Sequence, residues 1–171
     1  MRAGGLAAQA VVIAKEPVPG RVKTRLSPPF TPAEAALLAE AALADTLAAV
    51  AAAPVSRHVL ALDGAPGDWL PAGFDVIPQR GGGLDERLAA AFADAHATLP
   101  LPMVLVGMDT PQVTPRLLAD AAGSLVSGEA DAVFGPANPD VPVNDRPRRP
   151  PSRPWPARRR PRTGNRGPCP R

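Results

Sequence analysis

Apolar residues recur along this chain in two rhythms. Short runs rich in Val, Ile, Leu and Ala stand at 11–14, 58–62, 74–77, 104–106 and 130–134, each bounded by Gly, Pro or charged residues. Runs of that length and composition predict five β-strands. The stretches between them carry helix signals. Thr31, Pro32 and Glu34 form a capping-box pattern with Pro at the first helical position, and the Ala/Leu-rich sequence beyond it predicts a helix to about Ala52. A second helix is expected over 85–98, with Leu88 and Phe92 four apart on one face. Thr114 and Pro115 open a third, running to about Ser127 and stopped near Gly128. Strands alternating with helices predict an α/β sandwich, a mostly parallel sheet flanked by helices. The interval 63–73 holds only about one turn of helix-forming residues, so a parallel crossover there is at the lower limit of length.

This arrangement puts chemistry at one edge. Lys15 follows the first predicted strand, Asp63 the second, Gln79 to Gly83 the third and Asp109 the fourth. Ligands of open parallel sheets bind at the carboxyl ends of the strands.

Charge changes the picture further along. Residues 1–137 hold 9 of the 19 Lys and Arg and 14 of the 16 Asp and Glu, a net of −5, while 138–171 hold ten Arg and two Asp, a net of +8. The body is mildly acidic, which gives no reason to expect nucleic acid as its partner; a basic loop within it is a local feature. The single cysteine, Cys169, excludes both a disulfide framework and a thiolate metal cluster, so any metal takes oxygen or His ligands. The first ten residues read as the approach to a strand and not as a secretory leader, and no apolar run approaches the roughly 20 residues that cross a bilayer. A cytoplasmic protein is expected.

The basic loop, 15–26, reads Lys-Glu-Pro-Val-Pro-Gly-Arg-Val-Lys-Thr-Arg-Leu. Pro17 and Pro19 fix φ, Gly20 permits a sharp turn, and Lys15, Arg21, Lys23 and Arg25 put four cations on one segment with no aromatic among them. Four cations suit a di- or triphosphate; a merely solvated basic loop is the alternative. Asp109, at the mouth of the strand 104–106, is either a ligand for Mg²⁺ or Mn²⁺, which share oxygen ligands with substrate phosphates, or a turn residue before Pro111. Gln79, Arg80 and the run Gly81–Gly83 lead into a helix start whose N–H groups favour an anion, although Asp85 and Glu86 would also complement that dipole. Asp45 and Thr46 read as a solvent-facing or structural pair, and His58 and His96 lack ligand spacing.

Taken in order, the loop 15–26, the segment 42–46 ending in Asp45 and Thr46, the segment 79–92, the Gly-Met-Asp-Thr-Pro of 107–111 and the Gly-Pro-Ala of 135–137 resemble the rSAM/selenodomain-associated transferases, domain of unknown function 2064, over about residues 8–137. The resemblance implies a Rossmann-like GT-A fold of the nucleotide-diphospho-sugar transferases, a sugar nucleotide as donor, a divalent metal and a small-molecule acceptor of unknown identity. It implies phosphate contacts from Lys15, Lys23 and Arg25, a pocket framed by Gln79, Gly83 and Arg87, and a metal or ribose-side role for Asp109. The stretch 23–26 followed by Asp45 is also similar to 2-phospholactate guanylyltransferase, which implies an NTP and pyrophosphate release instead. Two departures stand out: Asp85 where the family has Gly, and Asn138-Pro139-Asp140-Val141 where it continues Asp-Gly-Gly-aromatic.

From Asn138 onward ten of 34 residues are Arg and ten are Pro. Such a composition builds no core and predicts a disordered tail of 138–171 behind a nucleotide-sugar-binding domain of 1–137. A bias starting inside a motif is what a frameshift in a GC-rich gene produces, and it would leave the sandwich incomplete and inactive. A basic arm for nucleic acid is the alternative.

Overall fold

The computed structural model describes residues 5–133 and residue 135. Four strands form one sheet: β1 (Leu6–Lys15), β2 (Val55–Asp63), β3 (Phe74–Pro78) and β4 (Met103–Gly107). Their spatial order is β3-β2-β1-β4 and all three pairings are parallel. Parallel neighbours need crossovers, which α1 (Pro32–Ala51), α2 (Leu84–Thr98) and the helix-free link between β2 and β3 supply, while α3 (Pro115–Val126) follows β4. The short link 64–73 does join parallel strands. It does so by turns, with Trp69 and Leu70 packed against the core.

β1 reads as a nearly continuous apolar run because both of its faces are covered. Ala10, Val12 and Ala14, with Leu60 and Leu62 of β2, pack on Leu43, Leu47 and Val50 of α1 and on Leu118 of α3. The alternate residues, Val11 of β1 with Val59 and Ala61 of β2, pack on Ala91 and Ala95 of α2. The result is three layers, with the central pair β1 and β2 buried on both sides.

The local signals at helix ends are realised. Thr31 Oγ1 accepts from the Glu34 N–H at 3.2 Å while the Glu34 carboxylate accepts from the Thr31 N–H at 2.8 Å, completing the capping box of α1. Thr114 caps α3 through the Leu117 N–H, and Gly128, at φ 72°, follows its end. One expectation fails. Residues 130–133 form no strand, because the Ala130 N–H donates back to Ser124 O at 3.2 Å and the chain folds onto the end of α3; Phe134 lies outside the described residues. The expected second helix forms as α2, and its buried residues are Ala91 and Ala95 while Phe92 is exposed; small residues let the helix sit close to the sheet. The expected tail, 138–171, and Pro136-Ala137 lie outside the described residues.

Candidate functional site

The carboxyl ends of β1 and β4 and the segment after β3 open into a cleft of about 890 Å³. Its apolar lining includes Ile13, Leu84, Leu88, Leu105 and Met108, and its charged lining Lys15, Arg21, Lys23, Arg25 and Arg87. Five cations thus come together from the loop 15–26 and from α2, segments some sixty residues apart in sequence.

Backbone constraints shape the loop. The Arg21 N–H donates to Val18 O at 3.0 Å, closing a turn in which Gly20 adopts φ 77°. Lys23 sits in the left-handed region at φ 49°, ψ 32°, and starts the short 3₁₀ turn Thr24–Leu26. For a residue with a Cβ that conformation costs about 1–2 kcal/mol. Lys23 and Arg25, on either side of the turn's start, both line the cleft.

Two carboxylates balance these cations. Asp63, the last residue of β2, lies 3.3 Å from Arg87 Nη1, 3.7 Å from Arg21 Nη2 and 4.0 Å from Lys15 Nζ. Asp109 pairs with Lys23 across the mouth of β4. Arg25 has no acidic partner among the described residues.

The loop bearing Asp109 is braced from behind. The Met108 N–H donates to Ile13 O at 3.0 Å, and the Lys15 N–H points at Met108 Sδ at 3.3 Å, tying the loop to β1. Thr46 of α1 is fully buried; its hydroxyl donates to Ala42 O at 2.8 Å and faces Met108 O at 3.3 Å, while accepting from the Thr110 N–H at 3.3 Å. Thr46 and its neighbour Asp45 therefore divide: Asp45 faces solvent, whereas Thr46 holds the Asp109 loop in place. Threonine is a poor choice for a buried helix position unless its hydroxyl is used, but its burial, and so that signal, comes only with the tertiary structure.

Gln79 lines the cleft, but its side-chain amide donates to Ala14 O at 2.6 Å and Ala61 O at 2.9 Å. Its N–H groups close the ends of β1 and β2, so it frames the site without offering them to a ligand. In the glycine run the wall is Gly82, while Gly83 is the cap of α2. Gly81 takes φ 106°, and a Cβ there would come within 2.8 Å of Glu86 Cβ. That close approach lets Glu86 Oε2 accept from the Gly82 N–H at 2.7 Å, so this amide is already satisfied by a carboxylate. Beside it Arg80 makes a two-pronged ion pair with Asp94, at 2.7 and 2.5 Å. The Arg80 hydrogen bond, more than its charge, holds the Asp94 carboxyl below the usual range.

No three His, Cys, Asp or Glu side chains among the described residues are grouped to hold a metal ion. Asp109, about half exposed and paired with a lysine, is one hard oxygen ligand. Such a donor set fits Mg²⁺ or Mn²⁺ only as phosphates would deliver it, with one carboxylate added to a shell of phosphate and water oxygens.

Among solved structures, one from Desulfovibrio desulfuricans G20, provisionally designated a nucleotide-diphospho-sugar transferase, superposes with a TM-score of 0.60 at 26% identity over 69% of this chain. The chain spans 54% of that protein, about half its length. Rv0371c from Mycobacterium tuberculosis H37Rv aligns at 23% identity over 72% of this chain and 62% of its own, with a TM-score of 0.43 that adds nothing to the fold assignment. A comparison with curated proteins finds no match. The family model DUF2064, described as an uncharacterised protein conserved in bacteria, matches residues 37–139. That span takes in Thr46, Asp63, Gln79, Arg87 and Asp109 but begins inside α1, leaving the basic loop 15–26 outside it. With more than half of its length matched, this chain belongs to the DUF2064 family.

Proposed function

We propose that the cleft binds the diphosphate of a nucleoside diphosphate-sugar, as the donor site of a sugar transferase. The observation that carries this reading is the convergence of Lys15, Arg21, Lys23, Arg25 and Arg87 on one cleft at the carboxyl edge of a parallel sheet. An edge of this kind is where α/β sheets bind nucleotides, and guanidinium and ammonium groups match phosphate oxygens. The similarity to the Desulfovibrio protein supports the choice of a sugar nucleotide. The apolar lining of Leu84, Leu88 and Met108 would carry the uncharged part of the nucleotide.

In this reading Lys23, Arg25 and Arg87 stabilise the negative charge that grows on the departing diphosphate. A divalent cation, when bound, supplies further Lewis-acid stabilisation there, and Asp109 would hold it. Lys23 then exchanges its carboxylate partner for phosphate oxygen. Thr46 keeps the Asp109 loop in register, and the Gln79 amide keeps the strand ends closed.

The test is nucleotide-induced thermal stabilisation in the presence of Mn²⁺, measured over a panel of nucleoside diphosphate-sugars. Lys23→Ala and Arg25→Ala each remove a charge-assisted contact of about 1.5–3 kcal/mol, so affinity should fall tenfold or more in each. Unchanged shifts in both variants would sink the assignment. Turnover that releases pyrophosphate from an NTP, with no free nucleoside diphosphate, would assign the same cleft to nucleotidyl transfer.

A further inference from the structure

Asp63 stands beside the cleft, not among the residues that line it, and is paired with three of the cations that do. Three of the five cleft cations point at its carboxylate, from β1, from the loop after it and from α2. It is held where it is from both sides. Its carbonyl accepts from the Glu16 N–H at 3.0 Å, and the Ala65 N–H donates to Glu16 Oε2 at 3.0 Å. Gly64 between them takes φ 134°, and a Cβ there would lie 2.4 Å from Glu16 Cβ, so the turn needs glycine. The Asp63 side chain is about one-third exposed and that of Arg87 one-quarter, so their charges are only partly screened by water.

We propose that Asp63 is an internal counter-anion that sets the charge threshold of the cleft, so that it answers to a diphosphate and not to a single phosphate. The inference rests on the donor-site reading and adds a selectivity to it. A lone phosphate approaching Lys15, Arg21 and Arg87 must compete with a carboxylate already fixed among them, and gains little by replacing it. A diphosphate reaches further: one phosphoryl group meets Lys23 and Arg25, away from Asp63, while the other draws on the shared cations. Glu86 on the Gly82 amide and Asp109 on Lys23 act in the same sense, so every anion-binding group on the rim except Arg25 begins with an internal partner among the described residues. Asp63 differs from both in serving three cations together.

The experiment is calorimetric titration of the full chain with inorganic phosphate and with pyrophosphate, without metal, at two salt concentrations. Asp63→Asn should raise affinity for inorganic phosphate about tenfold, by removal of one like charge at contact range. Affinity for pyrophosphate should rise by less, because one of its two phosphoryl groups meets Lys23 and Arg25 away from Asp63. The preference for pyrophosphate therefore falls, and phosphate binding by the variant becomes more salt-dependent. Asp63→Glu, which keeps the charge, should retain the wild-type preference and serves as the readout if the neutral variant does not fold. An unchanged preference in Asp63→Asn overturns the proposal, as does weakened binding of both anions, which would make Asp63 a structural holder. A lost preference in Asp63→Glu also overturns it. Failure of the donor-site reading is distinct, since it shows in the wild type alone as no binding of pyrophosphate or sugar nucleotide.

Discussion

The two ends of the sheet handle polar groups in opposite ways. At the amino ends of the strands, Gln9 of β1 is fully buried, its amide donates to Leu99 O at 2.6 Å, and its carbonyl accepts from Arg57 Nη1 at 2.8 Å. Arg57 in turn donates through Nε to Asp75 at 2.6 Å. The network ties β1, β2, β3 and the residue after α2 together with short bonds. At the carboxyl ends, one carboxylate stands 3.3, 3.7 and 4.0 Å from three cations that share it. Both ends are rich in charge and hydrogen-bonding groups. Only the second gathers several cations around one shared carboxylate beside a cleft, and that gathering marks the binding end.

The sharpest way to break this comparison is at the closed end. Arg57→Ala strands the buried Gln9 carbonyl and should cost about 2–3 kcal/mol in denaturant unfolding, while leaving pyrophosphate affinity unchanged. A parallel loss of anion binding would show that the two ends are not separate. Thr46→Val joins them from the other side: it removes the hydroxyl from Met108 O and the Thr110 N–H, and should cost about 1 kcal/mol of stability. It should also weaken any Mn²⁺-dependent stabilisation by a sugar nucleotide, because the Asp109 loop loses its brace. If only stability changes, Thr46 belongs with the core and not with the site.

The smallest effect concerns pH. Arg80 depresses the Asp94 carboxyl in the folded state through their hydrogen bond. A depressed acid adds stability above its unfolded pKa, about 3.9, and loses it as pH falls through the lower folded value. Asp94→Asn should therefore be slightly less stable than wild type at pH 6, and the difference should shrink as acid takes the pH below the unfolded value and through the lower folded one. A difference that persists there would mean the pair contributes by packing instead of charge.

Much of the fold was legible because it rests on local chemistry. The capping box at Thr31, the Thr-Pro start at 114 and the doubly covered run of β1 all act over a few residues. The strand expected at 130–134 was not legible, since its apolar spacing matched a strand while the Ala130 N–H found a nearer acceptor on α3. The roles of Leu88 and Phe92 were half legible: the helix formed as its pattern predicts, but the sheet selected the smaller Ala91 and Ala95 as its contact.

The site divides along the same line. By itself the sequence determined a cationic loop after the first strand, an acid at the end of the fourth and a glycine run before a helix, because turn chemistry and charge are properties of short segments. Only the tertiary structure decided what those groups meet. It gathered Lys15, Arg21 and Arg87 around Asp63, set Lys23 against Asp109, turned the Gln79 amide onto two strand carbonyls and placed Thr46 behind the Asp109 loop. Each of those pairings joins residues brought together by parallel crossovers. No local pattern records such partners, because the crossover and not the spacing in the chain sets their distance.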